Sequence, residues 1–241
     1  MDTQSTGGNR VHVIVQARSS STRLPGKSLL TIGGLPLAVL VAKRASNTGY
    51  HVILATSNDR SDDYLASIVQ SYGIECFRGD LIDVRSRYIA ATSHYSPSDI
   101  LVRLTADNPI PDGYLIRAVL QEFIHRGLDY ICCNGMNSGL PYGCSVEIMY
   151  ISALRSVSGR NLDSYDREHV TPAVIRSCGL NYFTRWEHLQ LGGMRTTVDT
   201  LDDYLTVAQI FEEVGESITT SSYDILLSLG KNLMTDSIPE Y

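Results

Sequence analysis

Arg18, Arg23 and Lys27 fall within ten residues of one another, directly after an apolar run at 11–15. Ser19, Ser20, Ser21 and Thr22 stand between them, and Pro25 and Gly26 shape the turn that delivers Lys27. Three cations, four hydroxyls and a glycine-shaped stretch of exposed backbone N–H groups make a cradle for a polyphosphate. The loop is not of Walker A type, because no glycine stands five places before the Gly26-Lys27-Ser28 triplet. A solvated basic turn would use the same residue types. What favours a ligand is the position, after the first strand of an alternating pattern.

A second set of residues suits a hard cation. Asp107 follows the apolar run at 100–104 in Arg103-Leu104-Thr105-Ala106-Asp107-Asn108-Pro109, where a carboxylate leaving a buried strand faces the ligand crevice. Magnesium takes one or two carboxylates and completes its shell with substrate phosphates. Asp199 is a candidate partner, although an aspartate opening a helical pattern is more often a cap. Arg78 and Gly79 follow the run at 74–77, where an Arg–Asp pair with Asp80 or Asp83 is as readily structural as functional. Asp62 and Asp63 suit the start of a helix. Further along, Arg167-Glu168-His169-Val170-Thr171-Pro172 combines a guanidinium with an imidazole. The pair can grip an anion, or His169 can be an ordinary structural imidazole.

These loops need a frame. Apolar β-branched runs at 11–15, 51–55, 74–77, 100–104 and 129–132 alternate with amphipathic segments at 36–46, 62–72, 84–94 and 114–125. That rhythm predicts a doubly wound α/β domain with a mostly parallel sheet, its ligand lying beyond the carboxyl ends of the strands. The loops at 16–34, 56–63, 78–83 and 105–113 then share one rim. After Cys132 the rhythm breaks: 134–143 is rich in Gly, Asn and Pro, which reads as a long loop. A mixed region is expected beyond it, with a strand at 145–149, a helix at 166–177 and strand-like pieces at 181–185 and 196–198. A final helix at 201–214 has apolar residues at Leu201, Leu205, Ala208 and Ile210 or Phe211. Residues 1–10 and 231–241 are expected to be tails around a single domain at 11–230.

Composition narrows the partners. A formal charge of -6 over 241 residues disfavours general nucleic-acid binding, which needs a surplus of Lys and Arg. The cysteines at 76, 132, 133, 144 and 178 have neither Cys-x-x-Cys nor zinc-ligand spacing and read as free thiols. With no signal-like start and no run long enough for a bilayer, the expectation is a cytoplasmic protein.

The motif Gln16-Ala17-Arg18-x-x-Ser21-Thr22-Arg23-Leu24-Pro25-Gly26-Lys27 resembles the opening loop of the cytidylyltransferases related to acylneuraminate cytidylyltransferase and to the spore-coat polysaccharide branch. The resemblance runs from Val13 to about Ile210. It implies a Rossmann-like nucleotidyltransferase fold with a mixed dimerisation and acceptor-binding region. It also implies CTP as substrate, with Ala17, Arg18, Arg23, Lys27, Arg78, Gly79, Thr105 and Asp107 on the nucleotide. Asp107 and Asp199 would hold magnesium, with Lys27, Arg18, Asp107 and Asp199 carrying the chemistry.

On the acceptor side the resemblance points to Ser145, Glu147, Arg167, His169 and Arg195. Ser145 departs from it, standing where the family stretch commonly reads Gly-x-Asp-x-Glu, whereas Glu147 is kept. The implied reaction is transfer of CMP from CTP to a small acidic acceptor, a sugar acid of the nonulosonate type, with pyrophosphate released. The alternatives are a small phosphate or phosphonate acceptor, and a non-catalytic nucleotide-binding subunit. A homodimer is implied by relatives alone.

Overall fold

The computed structural model describes residues 5–6, 8–133, 136–157 and 162–236. The strands are β1 (Ser5–Thr6), β2 (Asn9–Gln16), β3 (Thr31–Ile32), β4 (Leu35–Pro36), β5 (Val52–Ser57), β6 (Glu75–Gly79), β7 (Ile100–Thr105), β8 (Tyr130–Cys132) and β9 (Glu147–Tyr150). The helices are α1 (Leu37–Ala45), α2 (Asp63–Ser71), α3 (Val84–Ala91), α4 (Gly113–His125), α5 (Ile151–Ser156), α6 (Ser164–His169), α7 (Pro172–Cys178), α8 (Leu201–Glu212) and α9 (Tyr223–Asp236). In the main sheet the order is β6-β5-β2-β7-β9-β8. The first four of these strands pair in parallel, and β9 runs antiparallel to both β7 and β8.

The expected α/β class with a mostly parallel sheet is what the chain adopts, and the side chains show why. Along β2, Val11, Val13 and Val15 join one core and Ile14 the other, and Leu104 and Leu101 of β7 divide in the same way. All six residues of β5 are buried. A strand covered on both faces needs apolar residues at every position, not only at alternate ones. Helices α1, α4, α8 and α9 cover one face, and α3, α5 and α7 the other.

Several expectations are corrected. Ser5–Thr6 and Asn9–Arg10 are not a free tail, because β1 folds back on β2 with Ser5 opposite Arg10. At the other end α9 continues through Asp236, so 231–236 is helical. The helix expected at 166–177 is two helices, α6 and α7, broken at Val170, whose φ of 69 is rare for a β-branched residue. The pieces at 181–185 and 196–198 form no strands. An isolated bridge from Cys132 to Tyr182, another from Tyr142 to Arg195 and the Val198 N–H donating to the Asp107 carbonyl lay them beside their neighbours. In α8, Leu201 and Leu205 face solvent at 57% and 56% exposure, while Val207, Ile210 and Phe211 make the buried stripe. The helix has rotated its packing face toward α9 and the Arg44 guanidinium, which stacks on Phe211 at 5.3 Å.

Candidate active site

At the carboxyl ends of β2 and β7 the chain opens a cleft of about 370 Å³. The loop after β2 reaches it because Gly26, at φ 71, turns the chain into a short 3-10 turn that begins at Lys27. The Lys27 ammonium donates to Asp107 Oδ2 at 2.8 Å, to Asp199 Oδ1 at 2.9 Å and to the Val198 carbonyl at 2.8 Å. Two carboxylates from chain segments 92 positions apart thus converge on one cation. Thr105 donates to Asp107 Oδ1 at 2.6 Å and fixes its rotamer, and Asn108 donates to Thr105 at 2.8 Å.

The other two cations of the loop are also paired. Arg23 lies 2.9 Å from Asp199, and Arg18 lies 3.3 Å from Glu168 of α6. Both guanidiniums remain substantially exposed, so a polyanion can draw them from these partners at little cost.

The far wall is made by 142–145 and 194–199. Gly143, at φ 104, is required there: a Cβ would stand 2.4 Å from the Thr197 nitrogen. Ser145 lines the cleft, as do Glu168 and His169. The strained Val170 turns the chain sharply after His169, whose ring rests against Tyr165 at 4.2 Å. Behind Asp199, Asp203 receives Arg195 at 3.1 Å and the N–H groups of Asp199 and Thr200, both at 3.0 Å. Burial pushes the Asp203 carboxyl up, but these donors outweigh it and hold it at about 2.

Not every expected residue arrives. Glu147 is 4% exposed and lies beneath the cleft, bound by Arg103, by Tyr130 at 2.6 Å and by Thr171 at 2.8 Å. Its oxygens are already engaged, so it props Arg103 rather than meeting a ligand. Arg167 lies outside the cleft lining and pairs with Asp83 at 3.0 Å. Arg195 stacks on Tyr142 at 5.0 Å and braces Asp203. Arg78 donates to the Ser57 and Asp59 carbonyls and to Asp63 at 2.7 Å, bracing the 57–63 loop, and the Gly79 carbonyl receives Asn58 at 2.7 Å. Ala17, Arg18, Arg23, Lys27, Thr105, Asp107, Asp199, Ser145 and His169 do line the cleft.

Gln16, Arg87 and Arg103 also line it and carry no site role in the sequence reading. Arg103 had left a signal: it is the one charge inside an apolar strand and shares alternating positions with Thr105 and Asp107. Burial alone would lower its pKa, but Glu147 and Tyr88 outweigh that and raise it, so Arg103 stays charged.

A sequence model described as cytidylyltransferase matches residues 12–229. The chain belongs to the cytidylyltransferase family. It is accordingly a CTP-dependent nucleotidyltransferase. The spore coat polysaccharide biosynthesis protein SpsF of Bacillus subtilis is 28% identical over 239 residues, covering 93% of this chain and 95% of that one. A 3-deoxy-manno-octulosonate cytidylyltransferase of Nitrobacter winogradskyi is 37% identical over 126 residues, 50% of this chain and 48% of its own length. The solved structure of a cytidylyltransferase from Leptospira borgpetersenii superposes with a TM-score of 0.84 at 26% identity, covering 97% of this chain and 99% of its own.

Proposed function

We propose that this cytidylyltransferase transfers CMP from CTP to an acidic sugar of the nonulosonate type, releasing pyrophosphate, with magnesium as its metal. The observation that carries this reading is the Lys27 ammonium, held within 2.9 Å of both Asp107 and Asp199 at the mouth of the sheet. The ammonium stands where two hard carboxylates meet, and that donor set suits a magnesium ion whose shell is completed by phosphate oxygens. When bound, the ion neutralises charge on the α-phosphate and makes an acceptor oxygen easier to ionise.

The chain's own residues do the rest. Lys27 exchanges its carboxylates for the phosphates of CTP, and Arg18 and Arg23 follow it. Thr105 keeps Asp107 in place as Lys27 departs. The acceptor oxygen attacks the α-phosphorus in line; the bond to the β-phosphate oxygen breaks, and the charge appearing on pyrophosphate falls on Lys27, Arg18 and Arg23. No side-chain nucleophile is required, because positioning and charge stabilisation supply most of the acceleration. Ser145 and His169 line the same cleft, and on this reading they face the acceptor. A sugar acid is favoured as acceptor by the relative named for an octulosonate.

The test is pyrophosphate release from CTP and magnesium with panels of 2-keto-3-deoxy sugar acids, of phosphates and of phosphonates. Release with the sugar acids is expected. Release only with phosphates or phosphonates would replace the acceptor class, and no release with any nucleoside triphosphate would leave a nucleotide-binding subunit.

A further inference from the structure

The loop that presents Arg18, Arg23 and Lys27 has little regular structure of its own, so something must hold its start. Asp62 stands next to it, with 0% exposure. Its Oδ1 accepts the Ser19 N–H at 2.7 Å, and its Oδ2 accepts the Ser57 N–H at 3.2 Å and the Ser57 hydroxyl. Asp62 immediately precedes α2, but its side chain makes no capping bond to that helix. Its oxygens are spent instead on the loop after β2 and on the last residue of β5.

The location is unfavourable on simple electrostatics. A buried carboxylate that makes no salt bridge among the described residues stands beside a loop proposed to receive a polyanion, with the charge of Arg87 acting on it from further off. Burial pushes its pKa up, yet the Ser57 and Ser19 donors outweigh that and keep it low, so the charge persists. A neutral group would repel CTP less. What a carboxylate offers here is two acceptor oxygens set apart by a rigid fork, enough to receive donors from two chain segments at once.

We propose that Asp62 is a positioning residue for nucleotide binding: it ties the Ser19 amide to the end of β5 and so sets the height at which Arg18 and the rest of the cradle meet the triphosphate. This rests on the reading that the triphosphate lies in the loop after β2. Asp62→Asn keeps the shape but leaves one acceptor oxygen for donors on both sides, and its amide turns N–H groups toward an N–H.

The experiment uses the full chain and two readouts. Hydrogen exchange of the free protein should show the Ser19 amide protected in the wild type and exchanging at least tenfold faster in Asp62→Asn, with the amides of α2 unchanged. Titration with CTP and magnesium should show a dissociation constant raised about tenfold, with kcat at saturating CTP changed less than threefold. Asp62→Ala, if it folds, should reproduce both effects. Loss of protection in α2 in place of Ser19 would make Asp62 an ordinary helix-start residue and overturn the proposal. So would CTP affinity within twofold of wild type. If the wild type binds no CTP, the functional reading fails while the exchange experiment still decides whether Asp62 holds the loop.

Discussion

Replacing Lys27 by Met leaves Asp107 and Asp199 facing each other without the cation that both now contact. It also removes the only cation of the cradle that is nearly buried, at 12% side-chain exposure against 44% for Arg18 and 65% for Arg23. Lys27→Met should therefore lower pyrophosphate release by about 10²–10³-fold, the loss typical of a pre-organised charge-stabilising donor, in steady-state assays. Arg18→Ala should cost less than Lys27→Met, because its pair with Glu168 is exposed and its guanidinium must be ordered by the ligand. The centre of this site was legible in the sequence: Lys27, Asp107 and Asp199 lie where strand ends and the family resemblance put them. Its edges were not. Glu147 reads as a ligand-facing acid until the register sets it opposite Arg103 and beside Cys132. Asp62 reads as a helix-start charge until the fold brings Ser19, 43 positions away, onto its oxygen.

Among the elements, α8 opens with a reciprocal cap in which Thr200 accepts from the Asp203 N–H and Asp203 accepts from Thr200. Thr200→Ala should destabilise the protein by about 1 kcal/mol in denaturant unfolding, the usual cost of a lost cap. Because the folded Asp203 carboxyl sits at about 2, below its ordinary 3.8, its contribution is full above pH 4 and is lost as pH falls toward 2. Asp203→Asn should flatten that part of the acid limb in melting curves recorded between pH 5 and 2. At the far wall, Gly143→Ala would force a Cβ onto the Thr197 backbone at a φ of 104, at a cost of about 1–3 kcal/mol. The wall should separate, and acceptor turnover should fall more than CTP binding. The alternation of strand and helix through 132 was readable because apolar period and turn residues are local signals. The break between α6 and α7 did have a local sign in Pro172, the first residue of α7, which a single helix over 166–177 passes over; only the φ of 69 at Val170 has none.

Across the whole molecule, Arg44 of α1 is the fully buried tie. It donates to the carbonyls of Pro109, Ile110, Ile218 and Ser221, joining the segment after Asp107 to the α8–α9 connection. Arg44→Met should lower stability by about 3–5 kcal/mol, measured by denaturant unfolding, because four carbonyls and Asp112 lose their donor or counter-charge together. Such ties span up to 177 positions, which is why strand order and the insertion of β9 beside β7 escaped the sequence while the fold class did not. The pairing of every cradle cation with a carboxylate has a consequence at this scale. In a chain of net charge -6, free basic groups at a cleft would collect whatever small anion is abundant. Here a lone phosphate or sulfate must break one internal pair for one contact, whereas a triphosphate engages several cations at once and gains from their proximity. If the proposed function holds, the cleft should answer more strongly to a chain of three phosphates than to one simple anion, because only the former can offset several broken pairs together.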